Sequence, residues 1–232
     1  MFEVPEILAR PPLSAAQTAV VVVDMVNHQV TPGRWLLGHH EAEGKDVSYI
    51  TRRVQETVIP AQQRLLKEAR RAGAHVVYLR VGTARADYAD GLPAFRSKYP
   101  IWEAFDGSPA CEVISALKPE PKDTVLLKTG SGGFTTSPLD LHLRNLNVRH
   151  VAYVGVVTNA CVLLTLAAGF DLGYYGYLIS DATATFSQRL QDFTEEIVGA
   201  YMAKVTSTDQ FIAMLGAPSE AAMPEASFSH PA

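Results

Sequence analysis

Five short apolar runs recur along the chain, at 19–24, 74–80, 124–128, 151–157 and 177–180, each rich in Val, Leu, Ile or Tyr. Runs this short and continuous predict strands buried on both faces of a parallel sheet. Between them, apolar residues fall at helical spacing over 48–72, 139–146, 158–172 and 190–203. Gly73 and Gly173 stop two of these helices. A sixth strand near 204–207 and a last helix to Leu215 complete the pattern. Strand, helix, strand in series requires right-handed crossovers. The expected fold is therefore α/β: a three-layer α-β-α, Rossmann-like domain around a central, mostly parallel sheet of five or six strands. Segments 27–45 and 82–107 break the rhythm with Gly, Pro, aromatic and charged residues. Irregular segments after strand ends are where open α/β sheets build pockets. From Ala217 the chain turns to Ala, Ser, Pro and Glu, which predicts one domain over 1–216 and a loose tail over 217–232.

Composition narrows the function. The 232 residues are 47% hydrophobic, enough for a sizeable core, and the net charge of -4 comes with no basic patch. Nucleic acid is not an expected partner. No apolar run approaches the roughly 18 residues needed to span a bilayer, and the first residues lack a charged and then apolar leader, so no membrane association and a cytoplasmic location are expected. Cys111 and Cys161 are the only cysteines and stand in different contexts, which predicts free thiols rather than a disulfide framework.

Three polar residues fall at equivalent places. Asp24 ends the first strand run, Lys128 ends the third, and Cys161 follows the fourth within Gly155-Val156-Val157-Thr158-Asn159-Ala160-Cys161. In a parallel sheet all three emerge at the same carboxyl edge. A thiol at a strand-to-helix junction is placed for nucleophilic attack: Asp24 can take its proton, Lys128 can hold a thiolate, and the helix N-terminus lowers the thiol below its free value, roughly 8.5. A partly ionised Cys161 is the expectation. Each residue alone has a plainer reading: Asp24 as a turn cap, Lys128 as a solvated charge, and a lone cysteine as core, which fits Cys111. His28, His39 and His40 lie in the first irregular segment, but a His-His pair in a loop is weak grounds for zinc, and no metal is expected. Trp35 and Phe134 lie beside catalytic strand ends and are expected as pocket walls, with Trp102 and Phe105 either walls or packing. Asp181 is expected to close a hydrogen-bond network beneath the sheet edge.

These residues resemble the isochorismatase-like cysteine hydrolases, a family that includes nicotinamidases, N-carbamoylsarcosine amidases and ureidoacrylate amidohydrolases. The resemblance runs over 18–215 and rests on Val-Val-Val-Asp24-Met25, on Lys128 followed by a Gly-rich turn and Phe134, on Gly155-x-x-Thr158-x-x-Cys161-Val162, and on Ser180-Asp181-Ala182. It implies a catalytic triad of Asp24, Lys128 and Cys161, an oxyanion hole from the backbone N–H groups of Val157 and Cys161, and a cis peptide at Val156-Val157. The stretches from Gly133 to Asp140 and from Ala168 to Gly176, with Thr31-Pro32-Gly33, look most like the ureidoacrylate amidohydrolase branch. The pocket departs from that branch: Gln29 and Trp35 stand in place of tyrosines and Arg80 in place of a glutamine. The metal-binding Asp-x-His-x-x-x-His segment of nicotinamidases has no counterpart in Arg80-Val81-Gly82-Thr83-Ala84-Arg85. Isochorismatases proper cleave a vinyl ether without a nucleophilic cysteine, and Cys161 argues against that chemistry.

The resemblance thus implies an amidohydrolase that cleaves a C–N bond of a small linear amide, ureido or carbamoyl compound through a thioester, with no cofactor. Asn27, Gln29, Trp35, Arg80 and Phe134 are the substrate-binding candidates, with Arg80 or Arg34 placed to bind a carboxylate. A homodimer or homotetramer is expected. Three alternatives stay open: an isochorismatase-type or nicotinamide-like aromatic amide hydrolase, a non-catalytic binding module, and a redox sensor in which Cys111 approaches Cys161.

Overall fold

The computed structural model describes residues 10–216, and the expected tail lies outside the described residues. Six strands, β1 (Thr18–Val23), β2 (His75–Val81), β3 (Thr124–Lys128), β4 (His150–Val156), β5 (Tyr175–Ala184) and β6 (Ala203–Thr206), form a sheet in the order β3-β2-β1-β4-β5-β6. Every pairing is parallel. The helices are α1 (Asn27–Val30), α2 (Trp35–Ala42), α3 (Ser48–Arg53), α4 (Ile59–Ala72), α5 (Tyr99–Trp102), α6 (Gly133–Thr136), α7 (Leu139–Asn145), α8 (Leu163–Asp171), α9 (Gln188–Tyr201) and α10 (Thr208–Gly216).

Alternation along β1 builds both outer layers. Val20 and Val22 enter an apolar cluster with Ile50, Leu65 and Phe211 from α3, α4 and α10. Ala19, Val21 and Val23 enter a second with Leu139, Leu166 and Val198 from α7, α8 and α9. All six β1 residues are fully buried, which is why the strand reads as an unbroken apolar run rather than an alternating one.

Several predicted boundaries shift for identifiable reasons. The helix expected over 48–72 contains a π turn at Val54–Val58, one turn ahead of Pro60 in the start of α4. Pro60 has no N–H to give the preceding turn, and the wider turn accommodates the gap. The fifth strand runs on to Ala184 because Thr183 and Ala184 pair with Gly155 and Val156 of β4, while the side chains of Ser180 and Asp181 are satisfied by the Thr206 carbonyl and the Thr208 N–H. Segment 27–45 is mostly helical, as α1 and α2, with the Pro32-Gly33 break masking the periodicity. Segment 82–107 is the longer excursion, and its base is stapled. The Thr83 N–H donates to the Ala104 carbonyl at 2.9 Å, and the Asp106 N–H donates to the Thr83 carbonyl at 2.8 Å.

Strand order reverses between β1 and β4, so the chain leaves their carboxyl ends in opposite directions and opens a crevice there. Gly155 permits the close approach of the two strands. Its φ is +111°, and a Cβ there would lie 2.0 Å from the Val23 carbonyl oxygen. The β4–β5 register also shifts between Tyr153 and Gly155.

Candidate active site

Asp24 follows the last residue of β1 in a left-handed conformation, φ +54°, which aspartate tolerates better than most residues. Its N–H donates to the Leu79 carbonyl of β2 at 2.9 Å, fixing the turn. Lys128 ends β3 and reaches over the end of β2 to bring Nζ within 2.8 Å of Asp24 Oδ2, with both side chains fully buried. The same ammonium donates to the carbonyls of Gly130 and Ser131 at 2.8 and 3.0 Å. Those two bonds set its direction, and neither carboxylate oxygen receives a well-aligned hydrogen bond from it. The pair is therefore mainly a charge contact. The Cys161 thiol is close enough to both groups to feel their charges.

Burial pushes the Asp24 carboxyl above its usual range, against the pull of Lys128. At Lys128 burial opposes the charge, but Asp24 and Cys161 outweigh it and the ammonium is held more firmly than usual. Burial, and then the Asp24 charge, push the Cys161 thiol up to about 12. The resting sulfur thus carries its proton, which corrects the expectation of a partly ionised thiol. Lys128 is one cation facing two acids, and its pull does not offset the desolvation.

Cys161 lies in a π turn, Thr158–Val162, that leads into α8. Two networks pin it, and neither was legible in the sequence. The Thr158 hydroxyl donates to Gln191 Oε1 at 2.8 Å, and Gln191 Nε2 donates to the Thr183 hydroxyl at 3.0 Å. The Thr165 hydroxyl donates to the Cys161 carbonyl at 2.6 Å while accepting the Gly133 N–H at 2.9 Å. The Val156-Val157 peptide is cis, and the Val157 carbonyl accepts from the N–H groups of Ala160 and Val162 at 2.9 and 3.3 Å.

A cavity of about 370 Å³ opens above Cys161. Segment 27–45 supplies His28, Gln29, Leu36 and His40; segment 82–107 supplies Ala94, Phe95, Lys98, Tyr99 and Trp102. Val81, Ser131, Ala160 and Phe186 complete the wall. His28 Nε2–H donates to the Val81 carbonyl at 2.9 Å, and Nδ1 accepts from Gln29 Nε2 at 3.3 Å. Burial lowers this imidazole to about 4, so it is neutral, and it stacks against Trp102 at 6.5 Å between centroids.

Of the substrate-binding candidates only Gln29 lines the cavity. Asn27 is drawn off to the 109–112 loop, its side chain donating to the Pro109 carbonyl at 2.8 Å and its N–H to that of Glu112 at 2.9 Å. Trp35 has a positive φ, +42°, and its ring lies under the Arg34 guanidinium at 3.9 Å, so neither residue forms the wall. Phe134 stacks on Tyr174 at 5.3 Å in the layer packed by α7 and α8. Arg80 pairs with Asp106 at 2.9 Å and reaches the Cys111 carbonyl at 3.5 Å, which leaves no open fork for a substrate carboxylate. Asp181 accepts from both the N–H and hydroxyl of Thr208 at the start of α10. Cys111 is fully buried with its sulfur 3.4 Å from the Val81 carbonyl, and burial pushes it up to about 11. His39 and His40 engage Glu43. Among the described residues no group of three or more His, Cys, Asp or Glu side chains is placed to hold a metal ion. Phe186 was findable by the rule that located Asp24 and Lys128, since it closely follows the carboxyl end of β5; Lys98 had no sequence signal.

Fold and site together define a doubly wound α/β protein with a carboxylate, an ammonium and a thiol gathered at the switch point of its sheet. The chain belongs to the isochorismatase family, whose Isochorismatase domain matches residues 18–210. It is 33% identical over 192 residues to the ureidoacrylate amidohydrolase RutB of Caulobacter segnis, a match covering 75% of this chain and 77% of that protein. Among solved structures, a cysteine hydrolase from Pseudomonas syringae pv. phaseolicola 1448A superposes with a TM-score of 0.75 at 27% identity, over 89% of this chain and 95% of the other. The N-carbamoylsarcosine amidase from Thermoplasma acidophilum gives a TM-score of 0.62 at 26% identity, over 83% and 97% respectively.

Proposed function

We propose that the protein is an amidohydrolase acting on the C–N bond of an amide, ureido or carbamoyl compound, with Cys161 as nucleophile, Asp24 as proton carrier and Lys128 as electrostatic anchor. One observation carries the reading: Cys161, at the floor of an otherwise largely apolar cavity, lies within the field of a buried carboxylate and a buried ammonium that pair with each other at 2.8 Å. A carboxyl raised by burial is a stronger base than a free one, which suits it to take a thiol proton. As sulfur attacks the carbonyl, its proton passes to Asp24, and Lys128 holds the charge that leaves the carboxylate. The N–H groups of Val157 and Cys161 receive the tetrahedral oxyanion. The C–N bond breaks, Asp24 returns the proton to the departing ammonia or amine, and a thioester remains. Water, deprotonated by Asp24, then cleaves the C–S bond and regenerates the thiol. The names of the amidohydrolase and amidase relatives point to the same bond class.

A panel of amides, ureido acids and carbamoyl compounds scored for ammonia release tests this. At least one member is turned over by the wild type, and Cys161→Ser, folded normally, loses nearly all of that activity because a hydroxyl is too weak an acid for Asp24 to ionise. Full activity in Cys161→Ser defeats the mechanism.

A further inference from the structure

The proposed chemistry uses the floor of the cavity and leaves its walls unexplained. Room for about 370 Å³ corresponds to about a dozen waters at their liquid volume. A short linear ureido acid leaves much of that water against Phe95, Trp102 and Phe186, an arrangement the hydrophobic effect disfavours. The wall is aromatic and its rings hold one another in place: Phe95 and Trp102 are tilted at 6.0 Å, Tyr99 meets Trp102 edge-on at 6.1 Å, and Phe186 meets His40 edge-on at 5.4 Å.

Lys98 is the one charged side chain among the described residues that line the cavity. Both imidazoles there are held neutral by burial, His28 at about 4 and His40 below its usual value. The Lys98 ammonium lies 2.8 Å from His39 Nε2 and 3.6 Å from Glu43. Glu43 is already engaged by Lys45 at 2.7 Å, so two ammonium groups share one carboxylate and a positive charge is left over beside the cavity. A partly exposed cation at the edge of an apolar wall suits an anionic group on the ligand.

We propose that the substrate carries, besides its scissile amide or ureido group, a carboxylate bound by Lys98 and a ring-sized apolar group packed among Phe95, Trp102 and Phe186. This rests on the amidohydrolase reading for the position of the scissile bond. Lys98 takes the part expected of Arg80.

Binding to Cys161→Ala, measured by calorimetry, separates recognition from chemistry. Three probes suffice: N-carbamoylphenylalanine with carboxylate and ring, N-carbamoylglycine with the carboxylate alone, and 2-phenylethylurea with the ring alone. N-carbamoylphenylalanine is expected to bind at least about tenfold tighter than either of the others. Adding Lys98→Met, which keeps the stem and removes the charge, brings it down to the level of 2-phenylethylurea, whose own affinity changes by less than about twofold; Lys98→Arg restores the difference. Similar affinity for all three probes, no binding of N-carbamoylphenylalanine at millimolar concentration, or indifference to Lys98→Met overturns the proposal. Turnover of small neutral amides by the wild type alongside any of these outcomes leaves the amidohydrolase reading standing. Tight binding with no turnover of any compound by the wild type removes that reading and keeps the ligand assignment.

Discussion

Lys128→Met deletes the cation from a fully buried pair 2.8 Å apart. Removing one partner of such a pair typically costs about 3–5 kcal/mol, because the remaining charge has neither water nor a counter-ion. Asp24 has a way to limit that cost. Burial already pushes its carboxyl up, and Lys128 is the largest influence pulling it down, so in the variant it rises further and takes a proton. The penalty then depends on pH. A carboxyl with a higher value folded than unfolded holds a proton in the native state that it releases on unfolding, so its contribution to stability declines as pH rises, by about 1.4 kcal/mol per pH unit. Relative to wild type, the extra decline falls in the window between the wild-type and variant values of Asp24. Urea unfolding followed by the fluorescence of Trp35 and Trp102 is expected to give a deficit that is smallest at the acid end of the accessible range and grows toward the alkaline end. Lys128→Met with Asp24→Asn removes both charges, and the double variant is expected to be more stable than the single one at the alkaline end, with a flatter pH dependence. A deficit that is the same at every pH, or a double variant as unstable as the single one at the alkaline end, refutes this reasoning.

Two other outcomes follow from the site. Arg80→Ala is expected to leave KM for the best substrate within about twofold of wild type, since its guanidinium belongs to Asp106; a rise of about tenfold or more in steady-state kinetics would restore Arg80 as a binding group. Iodoacetamide is expected to label Cys161 slowly at neutral pH, with a rate rising about tenfold per pH unit as the thiolate fraction grows, while buried Cys111 stays unlabelled in the native protein. Peptide mapping that found fast, pH-independent labelling of Cys161 below about pH 7 would mean a preformed thiolate and a misread proton distribution.

The strand runs were legible because parallel strands buried on both faces leave unbroken Val and Leu stretches such as Val20 to Val23. The convergence of Asp24, Lys128 and Cys161 was legible for a topological reason: strand ends in a parallel sheet share an edge, so the three meet there whatever lies between them. The cavity wall was not. Trp35 stands near the end of β1 in sequence, but a positive φ and the Arg34 guanidinium turn it aside, whereas Trp102, about 78 positions from Asp24, comes back to the site through the stapled 82–107 segment. Side-chain direction on an irregular segment is set by long-range contacts such as Asn27 to Pro109 and Arg80 to Asp106, for which no periodic pattern exists. The protonation state of Cys161 failed to show for a related reason: the residue types announce a nucleophile, but its acidity is decided by how deeply three chain segments bury it.

The closed base of segment 82–107 separates two design problems. Thr83 is bonded on both sides, to Ala104 and Asp106, and pairs with Phe105 in parallel, so the chain leaves and re-enters the domain at one fixed doorway. Phe95, Lys98, Tyr99 and Trp102 all hang from the loop inside that doorway, whereas Asp24, Lys128 and Cys161 lie at the carboxyl edge of the sheet outside it. Grafting a segment of different length or composition between Thr83 and Ala104 is therefore expected to reshape the cavity wall while Asp24, Lys128 and Cys161 keep their places at the sheet edge, provided Tyr99, fully buried against this base, is retained.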